Sequence, residues 1–153
     1  MTGTVGAVAL VVVSIEIDRT PEEIWADLRD IASHVHWMAD AAEIRFTSER
    51  REGVGTVFEC DTRVGPLRTT DVMEITSWEP AQRMGVRHKG VVTGEGEFLI
   101  TSIGERRSEF RWEEDLVLPW WLGGRIGETV GRPVLAAIWR RNLTRLRERL
   151  EAR

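Results

Sequence analysis

Val13, Ile15 and Ile17 alternate with Ser14, Glu16 and Asp18 at the end of a Val-rich opening run, VALVVVSIEID. Apolar residues at every second position predict a strand with one buried face. The period then changes. In RTPEEIWADLRD, Ile24, Trp25 and Leu28 share one helical face. Thr20 is placed to cap that helix, Pro21 suits its first position, and Glu22 and Glu23 suit the positive end of its dipole. IASHVHWM predicts a second short helix. From Ala42 to Leu118 the pattern returns to strands: AEIRFTSER, VGTVFECDTR, LRTTDVMEITSW, RMGVRHKG, GEFLITSI and SEFRWEEDLVL. Turns fall at Glu52-Gly53, Gly65-Pro66, Glu79-Pro80 and Gly104 to Arg107, with a loop containing Gly90 and Gly94. Such short connections favour antiparallel neighbours.

The last segment is helical. Ile126, Val130, Val134, Ile138 and Trp139 recur at helix spacing, and Leu143, Leu146 and Leu150 continue the stripe. Pro133 either kinks one long helix or starts the longer of two. The predicted fold is therefore α+β: a curved seven-stranded antiparallel sheet, two short helices between strands 1 and 2, and a long C-terminal helix covering the concave face. A curved sheet closed by a helix leaves room for a cavity between them.

Composition narrows the function. The chain has 153 residues, the size of one domain spanning 1–153, and a net charge of -4, which argues against nucleic-acid binding. Cys60 is the single cysteine, so no internal disulfide exists. The run Val5 to Val13 is too short for a membrane span and lacks the flanks of a signal peptide, so the expected setting is cytoplasmic with no integral membrane segment. Neither a metal motif nor a complete phosphate-binding glycine motif is present, and no cofactor is expected. GEGEF reads as the bend of a curved strand. There are seven tryptophans and no tyrosine.

Alternation also assigns faces. In FRWEEDLVL, Phe110, Trp112, Glu114, Leu116 and Leu118 point one way; Arg111, Glu113, Asp115 and Val117 point the other. Glu114 is thus the one acid of three expected to face the cavity. It either anchors a ligand's polar group or acts as an acid or base, or it caps a helix end, pairs with an arginine or sits at a wet sheet end. His88 shares an inward face with Met84 and Val86, and a His and a Glu in one cavity make an acid/base pair or a structural contact. Asp71 shares a face with Met73 and offers a third polar group, or a partner for a neighbouring arginine. Cys60 shares a face with Phe58 and reads as a small buried hydrophobe. Trp37, Trp112 and Trp139 are placed toward the cavity. The expected ligand-binding set is Trp37, Phe58, Asp71, Met73, Met84, His88, Phe98, Trp112, Glu114, Ile126, Val130 and Trp139. Trp120 and Trp121 cannot both face one way. One of them is available as a lid element, a homodimer contact or a membrane-touching tip.

Several segments resemble the helix-grip superfamily of START-like domains, birch-pollen-allergen-like proteins and bacterial polyketide cyclase/dehydrase-like proteins. IEIDRTPEEIWADLRDIASHVHWM resembles its opening, EGVGTVFEC its Gly-x-Gly lead-in to the third strand, and VMEITSWEPAQRMGVR its strand, Pro-containing turn and next strand. The resemblance spans Val11 to Arg149. It implies a hydrophobic cavity shared by lipid and sterol carriers, hormone receptors, aromatic cyclases and co-chaperone domains. Binding or carriage of a small hydrophobic molecule needs only that cavity. A cyclase or dehydratase would use Glu114 and His88, and an interaction domain of the co-chaperone type is a third reading. Aromatic cyclases of the superfamily also use arginine and tyrosine. This chain has no tyrosine, and Arg63 and Arg68 fall on the opposite faces, so no catalytic set carries over.

Overall fold

The computed structural model describes residues 7–118 and 124–153, so Trp120 and Trp121 lie outside the described residues. The elements run β1 (Ala7–Ile17), α1 (Pro21–Leu28), a 3-10 helix (Ile31–His36), β2 (Ala41–Phe46), β3 (Val57–Val64), β4 (Leu67–Glu79), β5 (Arg83–Lys89), β6 (Thr93–Gly104), β7 (Arg107–Leu118) and α2 (Gly124–Glu151). The strands form one antiparallel sheet in the order β1-β7-β6-β5-β4-β3-β2. The first and last strands pair along their whole length, from Ala7 opposite Leu118 to Ile17 opposite Ser108. This is the predicted helix-grip architecture.

Local chemistry explains most boundaries. Thr20 accepts from the Glu23 amide at 3.2 Å while the Glu23 carboxylate accepts from the Thr20 amide at 2.8 Å, a reciprocal capping box. The second short helix is 3-10 rather than α, and it buries His34 between α1 and the sheet. There His34 Nε2 donates to the Leu28 carbonyl at 2.8 Å, which satisfies one of the carbonyls left over at the end of α1. Burial pushes the His34 pKa down, so the ring stays neutral at physiological pH. β6 begins at Thr93, so Gly94 lies within the strand instead of the preceding loop. Pro133 sits inside a single continuous α2.

The core divides the molecule lengthwise. At the end where α1 begins and α2 finishes, Ile17, Ile24, Leu28, Phe110 and Leu146 have no exposed surface. Polar contacts fasten α2 there. Arg19 donates to the carbonyls of Glu151 and Arg153 at 3.0 and 2.9 Å. Asp27, itself buried in α1, pairs with Arg149 at 3.2 Å and Arg153 at 2.8 Å. A buried carboxylate is tolerable only with such partners. Asp27→Ala should lower stability by about 2 kcal/mol, because the arginines lose their acceptor. The thermal midpoint would then drop by roughly 5 °C in calorimetry. An unchanged midpoint would show that solvent, not Asp27, serves those arginines.

Candidate functional site

Toward the other end, the concave sheet, the 3-10 helix and α2 enclose a cavity of about 230 Å³. Alternation along each strand supplies its walls: Phe58 from β3, Met73 and Ile75 from β4, Met84 and Val86 from β5, Phe98 from β6, Trp112 and Leu116 from β7. Leu135 and Trp139 close it from α2. Trp139 stacks on Trp112 with ring centroids 4.6 Å apart and planes 14° from parallel, so the helix meets the sheet through two flat faces. The lining reaches Val64, Leu67 and Val92 at the β3–β4 and β5–β6 turns.

Nine of the twelve expected residues line this space: Phe58, Asp71, Met73, Met84, His88, Phe98, Trp112, Glu114 and Trp139. Trp37 does not. The turn after the 3-10 helix tucks it behind the wall, fully buried against Phe98, Phe110 and Trp112. The side chains of Ile126 and Val130 lie outside the described residues.

Glu114 is the inward acid, with its side chain 9% exposed. It does not cap a helix and it touches no arginine. Trp112 Nε1 donates to its Oε1 at 3.1 Å, and His88 Nε2 lies 3.4 Å from its Oε2. At that separation the His–Glu contact is an electrostatic pairing rather than a tight hydrogen bond. Burial pushes the His88 pKa down, but the Glu114 charge beside it, with Asp71 further off, outweighs burial and holds the pKa above the ordinary value. With Nε2 turned to Glu114, Nδ1 is buried and has no hydrogen-bond partner among the described residues. It is a base when the ring is neutral and a donor when the ring is charged.

Two glycines make the pairing possible. Glu114 is on β7 and His88 on β5, so β6 runs between them. At the inward positions of β6 opposite these residues stand Gly96, facing Glu114, and Gly94, facing His88. A Cβ on Gly96 would lie 2.6 Å from the Glu114 Cγ. A Cβ on Gly94, where φ is +128°, would lie 2.1 Å from the Asp115 carbonyl oxygen. The GEGEF segment thus omits side chains where the Glu114 carboxylate must cross a strand.

Asp71, on β4, meets no arginine. Its Oδ2 accepts from Thr62 Oγ1 at 3.0 Å, and its buried Oδ1 has no hydrogen-bond partner among the described residues. Burial pushes its pKa up, partly offset by Thr62. Sequence reasoning did not single out Asp40, a further carboxyl on the cavity wall. Asn142 Nδ2 donates to it at 2.7 Å and Asn142 Oδ1 accepts from the Ala39 amide at 3.0 Å. The available signal was Asn142 itself, a polar residue within the Trp139, Leu143, Leu146 stripe. Burial raises the Cys60 thiol to about 11, so it is an inert part of the wall at neutral pH. No lysine or arginine lines the cavity among the described residues. Arg63 and Arg68 face each other, exposed, on β3 and β4.

A helix-gripped sheet around an apolar cavity with a few polar groups defines the class, a START-like ligand-binding fold. The chain belongs to the family described as polyketide cyclase / dehydrase and lipid transport, whose profile matches residues 8–151. Comparison with curated proteins yields no match. Among solved structures, the ZhuI aromatase/cyclase from a Streptomyces species has a TM-score of 0.73 at 17% identity, covering 94% of each chain. A START superfamily protein from Mycobacterium smegmatis has a TM-score of 0.76 at 11% identity, covering 94% of this chain and 97% of that one. The di-domain ARO/CYC protein BexL has a TM-score of 0.77 at 15% identity, covering 95% of this chain and 51% of that one. Likeness at these identities is a likeness of fold.

The pairing is testable without a ligand. Glu114→Gln removes the charge that supports the imidazolium, and Gly96→Ala pushes the carboxylate aside. In both variants the His88 pKa should fall below wild type in an NMR titration. A raised folded-state pKa adds stability in full below the unfolded value of about 6.5 and loses it as pH climbs through the folded value. The stability margin of wild type over Glu114→Gln should therefore narrow as pH rises. An identical His88 titration in wild type and Glu114→Gln would refute the pairing.

Proposed function

We propose that the protein binds a small hydrophobic molecule, such as a lipid, a polyketide or another aromatic, in the cavity between sheet and α2. The observation that supports this reading is the cavity itself. Its wall is mainly Phe, Trp, Met, Ile, Leu and Val side chains, with a small polar group at Asp71, His88 and Glu114 to orient the occupant. Native mass spectrometry of protein from its own host should detect a co-purified apolar molecule. Met73→Trp, which fills the cavity, should reduce the bound fraction at least about tenfold. Host-purified protein that carries nothing, and that also fails to bind apolar aromatic probes, would overturn the proposal.

A second reading is supported by one specific observation, the 3.4 Å approach of His88 to Glu114 inside an otherwise apolar wall. A carboxylate that holds the proton on one imidazole nitrogen frees the other for proton transfer to or from a bound molecule. This is acid/base chemistry of the cyclase or dehydratase type, with His88 as the exchanging group and Glu114 as its support. Once a substrate is identified, His88→Ala should slow turnover by about 100-fold or more, and Glu114→Gln should shift its pH profile. Unchanged turnover in both variants, with ligand still bound, would leave carriage as the function.

A further inference from the structure

The polar end of the cavity carries acids and lacks strong bases. Asp40, Asp71 and Glu114 contribute carboxyl groups to the wall, and no lysine or arginine accompanies them among the described residues. His88 is the one basic side chain there whose pKa is held up, and Glu114 already faces it. His34 also lines the cavity, but burial keeps it neutral and the Leu28 carbonyl takes its Nε2 proton. A carboxylate or phosphate entering this end meets like charge without a free cation to offset it.

Two buried atoms also call for a partner. Asp71 Oδ1 is an unoccupied acceptor, and His88 Nδ1 has no partner either. Both residues are about nine-tenths or more buried and both line the cavity. Met73 pairs with His88 across β4 and β5, which sets Asp71 and His88 on a diagonal of the same inward face. An unmade hydrogen bond at a buried atom is costly, so a ligand that supplies one is selected over a ligand that does not. A hydroxyl group is the smallest group that donates to a carboxylate and accepts from an imidazole N–H.

We infer that the cavity selects an apolar, uncharged ligand bearing a hydroxyl, held between Asp71 and His88, and rejects the same skeleton bearing a carboxylate. The inference rests on the cavity being a ligand site, as proposed above. It separates phenolic or alcohol ligands from fatty acids and other anionic lipids.

Three probes on one skeleton test it: 2-naphthol, 2-naphthoate and naphthalene. Their affinities for the wild-type protein are read from quenching of its tryptophan fluorescence, with Trp112 and Trp139 in the wall as reporters. 2-Naphthol should bind at least about tenfold more tightly than either of the others, a difference of about 1.4 kcal/mol. Asp71→Asn, which removes charge while keeping the shape, should narrow the gap between naphthol and naphthoate. Naphthoate binding as tightly as naphthol would overturn the charge selection and leave the cavity's role standing. Naphthalene binding as tightly as naphthol would overturn the hydroxyl contact. No binding of any probe, naphthalene included, would count against the ligand site itself and remove this inference with it.

Discussion

A carboxylate placed in an apolar wall must be paired, and that requirement links four strands of this protein. Glu114 on β7 takes a hydrogen bond from Trp112 and faces His88 on β5. Asp71 on β4 is held by Thr62 on β3. The strand in between, β6, gives up two side chains so that the first of these contacts can form. Desolvation of a charge costs several kcal/mol, more than most single apolar contacts return. The polar group is therefore an ordering constraint on the sheet as much as a chemical feature of the cavity.

The remainder of the fold supports that arrangement from a distance. The α1 end is closed by fully buried aliphatic residues and by the Asp27, Arg149 and Arg153 contacts. The cavity end is thinner in packing and contains the unsatisfied polar atoms. One end thus carries stability and the other carries binding capacity. A helix that runs the length of both, stacked on Trp112 through Trp139, joins the two roles.

Much of this was legible from alternation. Period-2 reading along β4, β5 and β7 turns Asp71, His88 and Glu114 inward because a half-buried strand allows one register only. The capping chemistry of Thr20, Pro21 and Glu23 is local and reads directly. What could not be read depended on contacts between distant segments. Gly96 looks like a weak point in a strand until its neighbour is known to be Glu114. Asp40 acquires its partner from Asn142, 102 residues away. Trp37 has the composition of a pocket residue, but the tight 3-10 turn carries it behind the wall, which no periodicity records. The choice between α and 3-10 geometry for IASHVHWM likewise depends on how His34 meets the end of α1.

The run Glu113, Glu114, Asp115 has a consequence for how the sheet assembles. In the native alignment one of these acids is enclosed and has His88 waiting for it. Sliding β7 by a single residue would turn every side chain to the other face. Glu113 and Asp115 would then be enclosed, Arg111 would take the place of Trp112, and neither acid would meet the paired glycines. A misaligned sheet thus encloses three charges where the correct one encloses one. The acidic run works as a proofreading device for strand alignment, rejecting a near-miss that the flanking Phe, Trp, Leu and Val residues alone would discriminate less sharply.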